Sequence, residues 1–146
     1  MECICTMMKD RYLFKAKTHR GDWVRGLLAS SNGKCYICNR DGRPFAFEIK
    51  PDTICQCTGL KDKNGKLIWE NDIVKDFFSD ACAQIRYGSY QNCFDSTKAE
   101  HIGFYVDWSG KYTKYYRKDF GYWIHMVDIE VIGNIFDNPE LLESEE

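Results

Sequence analysis

Ile102-Gly103-Phe104-Tyr105-Val106-Asp107-Trp108, followed by Ser109-Gly110, is the stretch whose reading decides the fold class. In an extended strand successive side chains point to opposite faces, so Phe104, Val106 and Trp108 share one face and Tyr105 and Asp107 the other. The same alternation returns near the end, where Ile129, Val131 and Ile135 share a face with Gly133, opposite Glu130 and Asn134. Ser109-Gly110 punctuates the first run as a turn, and Asn32-Gly33, Asp41-Gly42, Asn64-Gly65 and Arg20-Gly21-Asp22 punctuate others. Asn-Gly is the dipeptide that tight hairpins prefer, because both central residues must take positive φ.

Working outward, strand-length runs fall at 12–17, 23–28, 35–39, 45–49, 54–59, 66–69, 73–77, 83–87, 102–108, 111–117 and 130–135. Many short strands at close spacing predict an all-β fold, read here as a partly open SH3-like barrel with additional hairpins. No window sustains helical periodicity over three turns. One short C-terminal helical turn is expected at 138–142, with Asn138 as cap, Pro139 first in the turn and Glu140 near its positive end.

Composition agrees. Aromatic residues make up 15% of the 146-residue chain, and their flat surfaces suit a half-buried pleated face. A chain of this length buries enough surface to need neither disulfide nor metal. One domain over 1–146 is expected, with 1–10 and 143–146 as mobile ends. The net charge of −2 is too small to draw nucleic acid to the whole surface; residues 137–146 hold five acids and no base, leaving +3 on the remainder. Neither a secretory signal nor a membrane-spanning run is present, so a cytoplasmic setting with reduced thiols is expected.

Two longer segments carry a family resemblance. Gln56-Cys57-Thr58-Gly59-Leu60-Lys61-Asp62-Lys63-Asn64-Gly65-Lys66-Leu67-Ile68-Trp69-Glu70-Asn71-Asp72-Ile73-Val74 is one. Ile129-Glu130-Val131-Ile132-Gly133-Asn134-Ile135-Phe136-Asp137-Asn138-Pro139-Glu140-Leu141-Leu142 is the other. Together they resemble the YopX family of phage and prophage proteins, with weaker echoes at 21–26, at 85–88 and at Phe14-Lys15. The resemblance implies an all-β, partly open barrel, a homo-oligomer and the cytoplasm of a bacterial host carrying a phage or mobile element. It supplies no activity, cofactor or catalytic residue. Two positions depart from the family pattern: Cys57 stands where Tyr is usual, and Asn71 where Gly is usual. Asn tolerates positive φ, so a left-handed turn at Asn71 is still expected.

Candidate chemistry is sparse. Cys35, Cys38, Cys55 and Cys57 invite a zinc site, since four thiolates close a tetrahedral shell. Yet Cys35 and Cys38 point to opposite faces of a strand, and Cys55 and Cys57 suit a core as small apolar residues. Cys3 and Cys5 lie near the chain's start and carry less weight. Gly59 to Leu67 is no phosphate loop: five residues separate Gly59 from Gly65, and Leu67 replaces the metal-binding hydroxyl. Glu70 and Asp72 read as turn carboxylates rather than an acid–base pair. His19, His101 and His125 are scattered. No enzyme activity, cofactor or metal is expected.

The most informative local feature is Lys111-Tyr112-Thr113-Lys114-Tyr115-Tyr116-Arg117-Lys118. As a strand it places Tyr112, Lys114, Tyr116 and Lys118 on one face, the combination of stacking rings and phosphate-neutralising bases that holds single-stranded nucleic acid. The plainer alternative packs the tyrosines on the core and lets the lysines reach water. The sequence therefore favours a non-enzymatic accessory protein that binds an unidentified protein partner or its own copies. A nucleic-acid module using 111–118 and a metal-stabilised module using the four cysteines are the alternatives.

Overall fold

The computed structural model describes residues 9–39, 46–108, 110–125 and 128–142. The described chain is all-β with antiparallel pairing, in two compact units divided after Gly59. The expected barrel is not formed: among the described residues the strands make open sheets with free edges.

The first unit contains β1 (Phe14–Lys17), β2 (Trp23–Ser31), β3 (Lys34–Asn39), β4 (Ala46–Glu48) and most of β5 (Cys55–Lys61), in the order β4-β3-β2-β1-β5. Asn32 and Gly33 join β2 to β3 with φ of 53° and 76°, the two-residue hairpin that Asn-Gly predicts. Thr18 closes the β1–β2 turn, donating its N–H to the Asp22 carbonyl and accepting that of Gly21, both at 2.9 Å. Ala16, Ile37 and Ile49 are fully buried and gather Phe14, Val24, Cys35 and Ile54 around them. The Asp41-Gly42 turn, Cys3, Cys5 and the chain ends expected to move lie outside the described residues, apart from residues 9 and 10.

In the second unit β5 turns into β6 (Leu67–Trp69), followed by β7 (Asp72–Asp76), β8 (Cys82–Tyr90) and β9 (His101–Trp108). Helix α1 (Phe120–His125) and β10 (Ile129–Asn134) complete it, and four strands form the sheet β10-β7-β8-β9. Alternation fixes its buried face. Ile85 pairs with Val106 and Ala83 with Trp108, and all four side chains are buried. Phe120 and Trp123, three residues apart on one side of α1, pack on the same cluster.

Three expectations change here. The run 111–117 is not a strand: Gly110–Lys114 forms a 3-10 turn, and the Tyr112 carbonyl accepts the N–H of Tyr115 and of Tyr116. Helix α1 was not anticipated, because its aromatic-rich sequence has little intrinsic helix preference and packing decides its conformation. Asn64-Gly65 is not a two-residue hairpin, since only Gly65 has positive φ, at 80°. Asp62 organises that turn instead. One carboxylate oxygen accepts the N–H groups of Asn64 and Lys66, and the other accepts that of Val131, all at 2.9 Å.

The left-handed turn is present at Asn71, with φ of 72°. Its N–H donates to the Ile85 carbonyl at 2.7 Å, its carbonyl accepts the Ile135 N–H at 3.1 Å, and its Oδ1 accepts from Gln84 Nε2 at 3.0 Å. Asn in place of Gly thus adds a side-chain bond that Gly cannot make. The C-terminal helical turn is a 3-10 turn over Pro139–Leu142. Asn138 starts it through its carbonyl, accepting the Leu141 N–H, while its side chain turns back to accept the Asn134 N–H. No helix is long and apolar enough to cross a membrane among the described residues.

Candidate functional site

The cysteines are placed by their strands. Cys35 and Cys38 lie on β3, and Cys55 and Cys57 on β5, strands that are not neighbours in the sheet. Cys38 is exposed, Cys35 packs on the Ile37 cluster, and Cys55 and Cys57 are buried. No three His, Cys, Asp or Glu side chains among the described residues gather as metal ligands. Asp72 is buried, and its Oδ2 accepts the Trp69 N–H at 2.8 Å, the turn-capping role its position implies.

The basic-aromatic run divides once it is a turn. Tyr112 and Tyr116 come together, ring centroids 4.9 Å apart, and lean on the core rather than standing as a free platform. Tyr112 donates its hydroxyl proton to the Ser79 carbonyl at 3.2 Å. Lys114 is exposed. Lys118 lines a separate concavity of about 570 Å³ with Ser89, Tyr90, Lys98 and Glu100.

Asp119 organises the surroundings. Its Oδ2 accepts from Arg117 Nε at 2.9 Å and Nη2 at 2.7 Å. Asn92 Nδ2 donates to both carboxylate oxygens, and the Tyr90 hydroxyl donates to Oδ1. Burial alone would raise this carboxyl's pKa; the bonds from Asn92 and Arg117, the guanidinium charge and the Tyr90 bond together hold it below the usual carboxylate range. Tyr90 is pushed the other way, by burial first and then by the neighbouring carboxylate. Its ring stacks with those of Tyr105 and His101 at 5.0 and 5.1 Å.

Arg117 connects this network to the core and to a cleft. Its carbonyl accepts both buried indoles, from Trp108 Nε1 at 3.0 Å and Trp123 Nε1 at 2.8 Å. Its guanidinium lies over Phe94 at 5.4 Å and Tyr122 at 5.1 Å from the ring centres. The cleft, about 440 Å³, is walled by Phe78, Phe94, Tyr115 and Tyr122, with Arg117 among them. Phe78 is 78% exposed, Tyr115 72% and Phe94 55%. These rings come from three separate connections, after β7, β8 and β9, so the even-spaced pattern of one segment could not have revealed them. An aromatic residue in an otherwise polar loop, as at Phe94, was the one available signal.

No curated protein matches the chain. The sequence pattern of the YopX protein family matches residues 8–143, across both units and nearly the whole length, taking in both motif segments. The chain belongs to the YopX protein family.

Proposed function

We propose that this chain is a phage- or mobile-element-encoded accessory protein of the bacterial cytoplasm that acts by self-assembly, without catalysis. The observation that supports this reading is an apolar face continuing past the core. Ile85 and Val106 are fully buried; the next cross-strand pair, Tyr87 and Phe104, is in edge contact with Tyr87 57% exposed, and beyond it Ile102 is 77% exposed. β9 is also an edge strand. Val106 donates its N–H outward, to the Lys118 carbonyl. An isolated bridge from Tyr105 to Asp119 covers the edge at that point. By the two-residue period the backbone groups of Ile102 face outward too, beyond that bridge, and they meet no partner among the described residues. A second copy running antiparallel would satisfy them and cover both apolar strips in one self-complementary contact.

The test is sedimentation or light scattering of the wild type beside Ile102→Asp. A wild-type oligomer that dissociates in the variant, with an unchanged circular dichroism spectrum, supports the reading. A wild type that stays monomeric from micromolar to millimolar concentration refutes it.

A further inference from the structure

We propose that the aromatic cleft around Arg117 binds the base of a nucleotide, with rings stacking on the base and the guanidinium bonding to its edge or phosphate. This site lies apart from the β8–β9 strip and does not depend on the self-assembly reading.

Three exposed rings from three connections converge on one concavity, and solvent-exposed aromatic surface gathered in this way marks a binding site. The polar groups on offer decide the ligand. Arg117 is fixed by two bonds to a single oxygen of Asp119 and by the rings on either side. Those bonds use Nε–H and one Nη2–H, so the Nη1 pair stays without a partner among the described residues. Lys114, beside Tyr115 in sequence, is exposed and forms no ion pair among the described residues. The one carboxylate in the lining, Asp76, is buried and occupied, accepting the Phe78 N–H at 3.1 Å and the Ser79 hydroxyl at 2.7 Å. The cleft therefore offers stacking faces and free guanidinium donors, with the Asp76 oxygens already in use. It fits a planar group rich in acceptors, and the base of a nucleotide is such a group.

The nucleotide could be free or part of a single strand, and two titrations separate these sources. Fluorescence anisotropy follows a labelled twelve-residue oligothymidylate, and calorimetry follows AMP and thymidine monophosphate. Micromolar oligonucleotide binding with weak mononucleotide binding identifies a single-strand site; comparable affinity for both identifies a mononucleotide site. Either supports the proposal, provided Tyr115→Ala and Phe94→Ala each weaken binding about five- to hundred-fold, as loss of one stacking face does. Both side chains are largely exposed, so these variants should stay folded, which circular dichroism checks. On the single-strand outcome Lys114→Gln should lower the salt dependence by about one phosphate contact, roughly 0.7 in log–log slope. No binding by oligothymidylate or by millimolar nucleotide overturns the proposal, as does binding that Tyr115→Ala and Phe94→Ala leave unchanged.

Discussion

Gly133→Ala is a clean steric probe of the C-terminal motif. Gly133 sits at the irregularity in the β10–β7 pairing, after Val131, and its φ is not positive, so Ala meets no backbone penalty there. A Cβ at this position would lie 2.5 Å from Asn138 Oδ1, 2.8 Å from its Cγ and 3.0 Å from its Cβ. The Asn138 side chain cannot yield without giving up its bond to the Asn134 N–H, a long one at 3.3 Å. Losing that bond costs about 0.5–1 kcal/mol, and forcing the overlap a further ~1–3 kcal/mol. Against this, Ala restricts the unfolded chain and returns roughly 0.4–1 kcal/mol. The net expectation is a loss of about 1–3 kcal/mol, read as a lower midpoint in urea denaturation at unchanged slope. In an Asn138→Gly background, where the obstructing side chain is gone, the same substitution should cost nearly nothing. A Gly133→Ala variant as stable as wild type, or costs that simply add in the double variant, would refute the reasoning.

Asn71→Gly should keep the left-handed turn but lose the Gln84 bond, at about 0.5–1.5 kcal/mol, whereas Asn71→Val adds backbone strain and should cost more; urea denaturation ranks them. Trp108→Ala removes a fully buried side chain and should cost about 3–5 kcal/mol, while Ile102→Ala on the exposed strip should stay within ~0.5 kcal/mol at concentrations where the chain is monomeric. Asp119 has a folded-state pKa below its unfolded value, so its contribution is present above the unfolded value near 3.9 and is lost as pH falls through the folded one. Acid unfolding of Asp119→Asn should therefore be less steep than that of wild type. Elemental analysis of the purified protein should show no stoichiometric zinc, and its circular dichroism spectrum should be unaltered by added chelator.

The all-β class and most strands were legible because period-two alternation and turn dipeptides are local signals. Asn32-Gly33 and the alternation of Phe104, Val106 and Trp108 stand in the structure as they read in the sequence. The run 111–117 failed for a specific reason. Tyr112 and Tyr116 are four apart, a spacing that puts two residues on one face of a strand and also of a helical turn. The sequence thus identified a tyrosine pair but not its geometry, and Lys114 and Lys118 followed the strand assumption onto a face that does not exist. Asp62 was missed because its partners include Val131, 69 residues away. The cleft was missed for the same reason. Phe78, Phe94, Tyr115 and Arg117 meet only when three connections are brought together, and no window of sequence contains that meeting.

The shared acceptor at Arg117 has a consequence for local opening. Both indole N–H groups bond to one carbonyl, so a fluctuation that lifts residue 117 off the core unlocks Trp108 and Trp123 in a single event. Their side-chain protons should exchange with solvent deuterium at closely matched opening free energies, although the two rings belong to a strand and a helix. Because the same residue carries the guanidinium of the cleft, occupancy there should slow both protons together. The tryptophans thereby become a paired internal gauge of events at a surface neither of them defines alone.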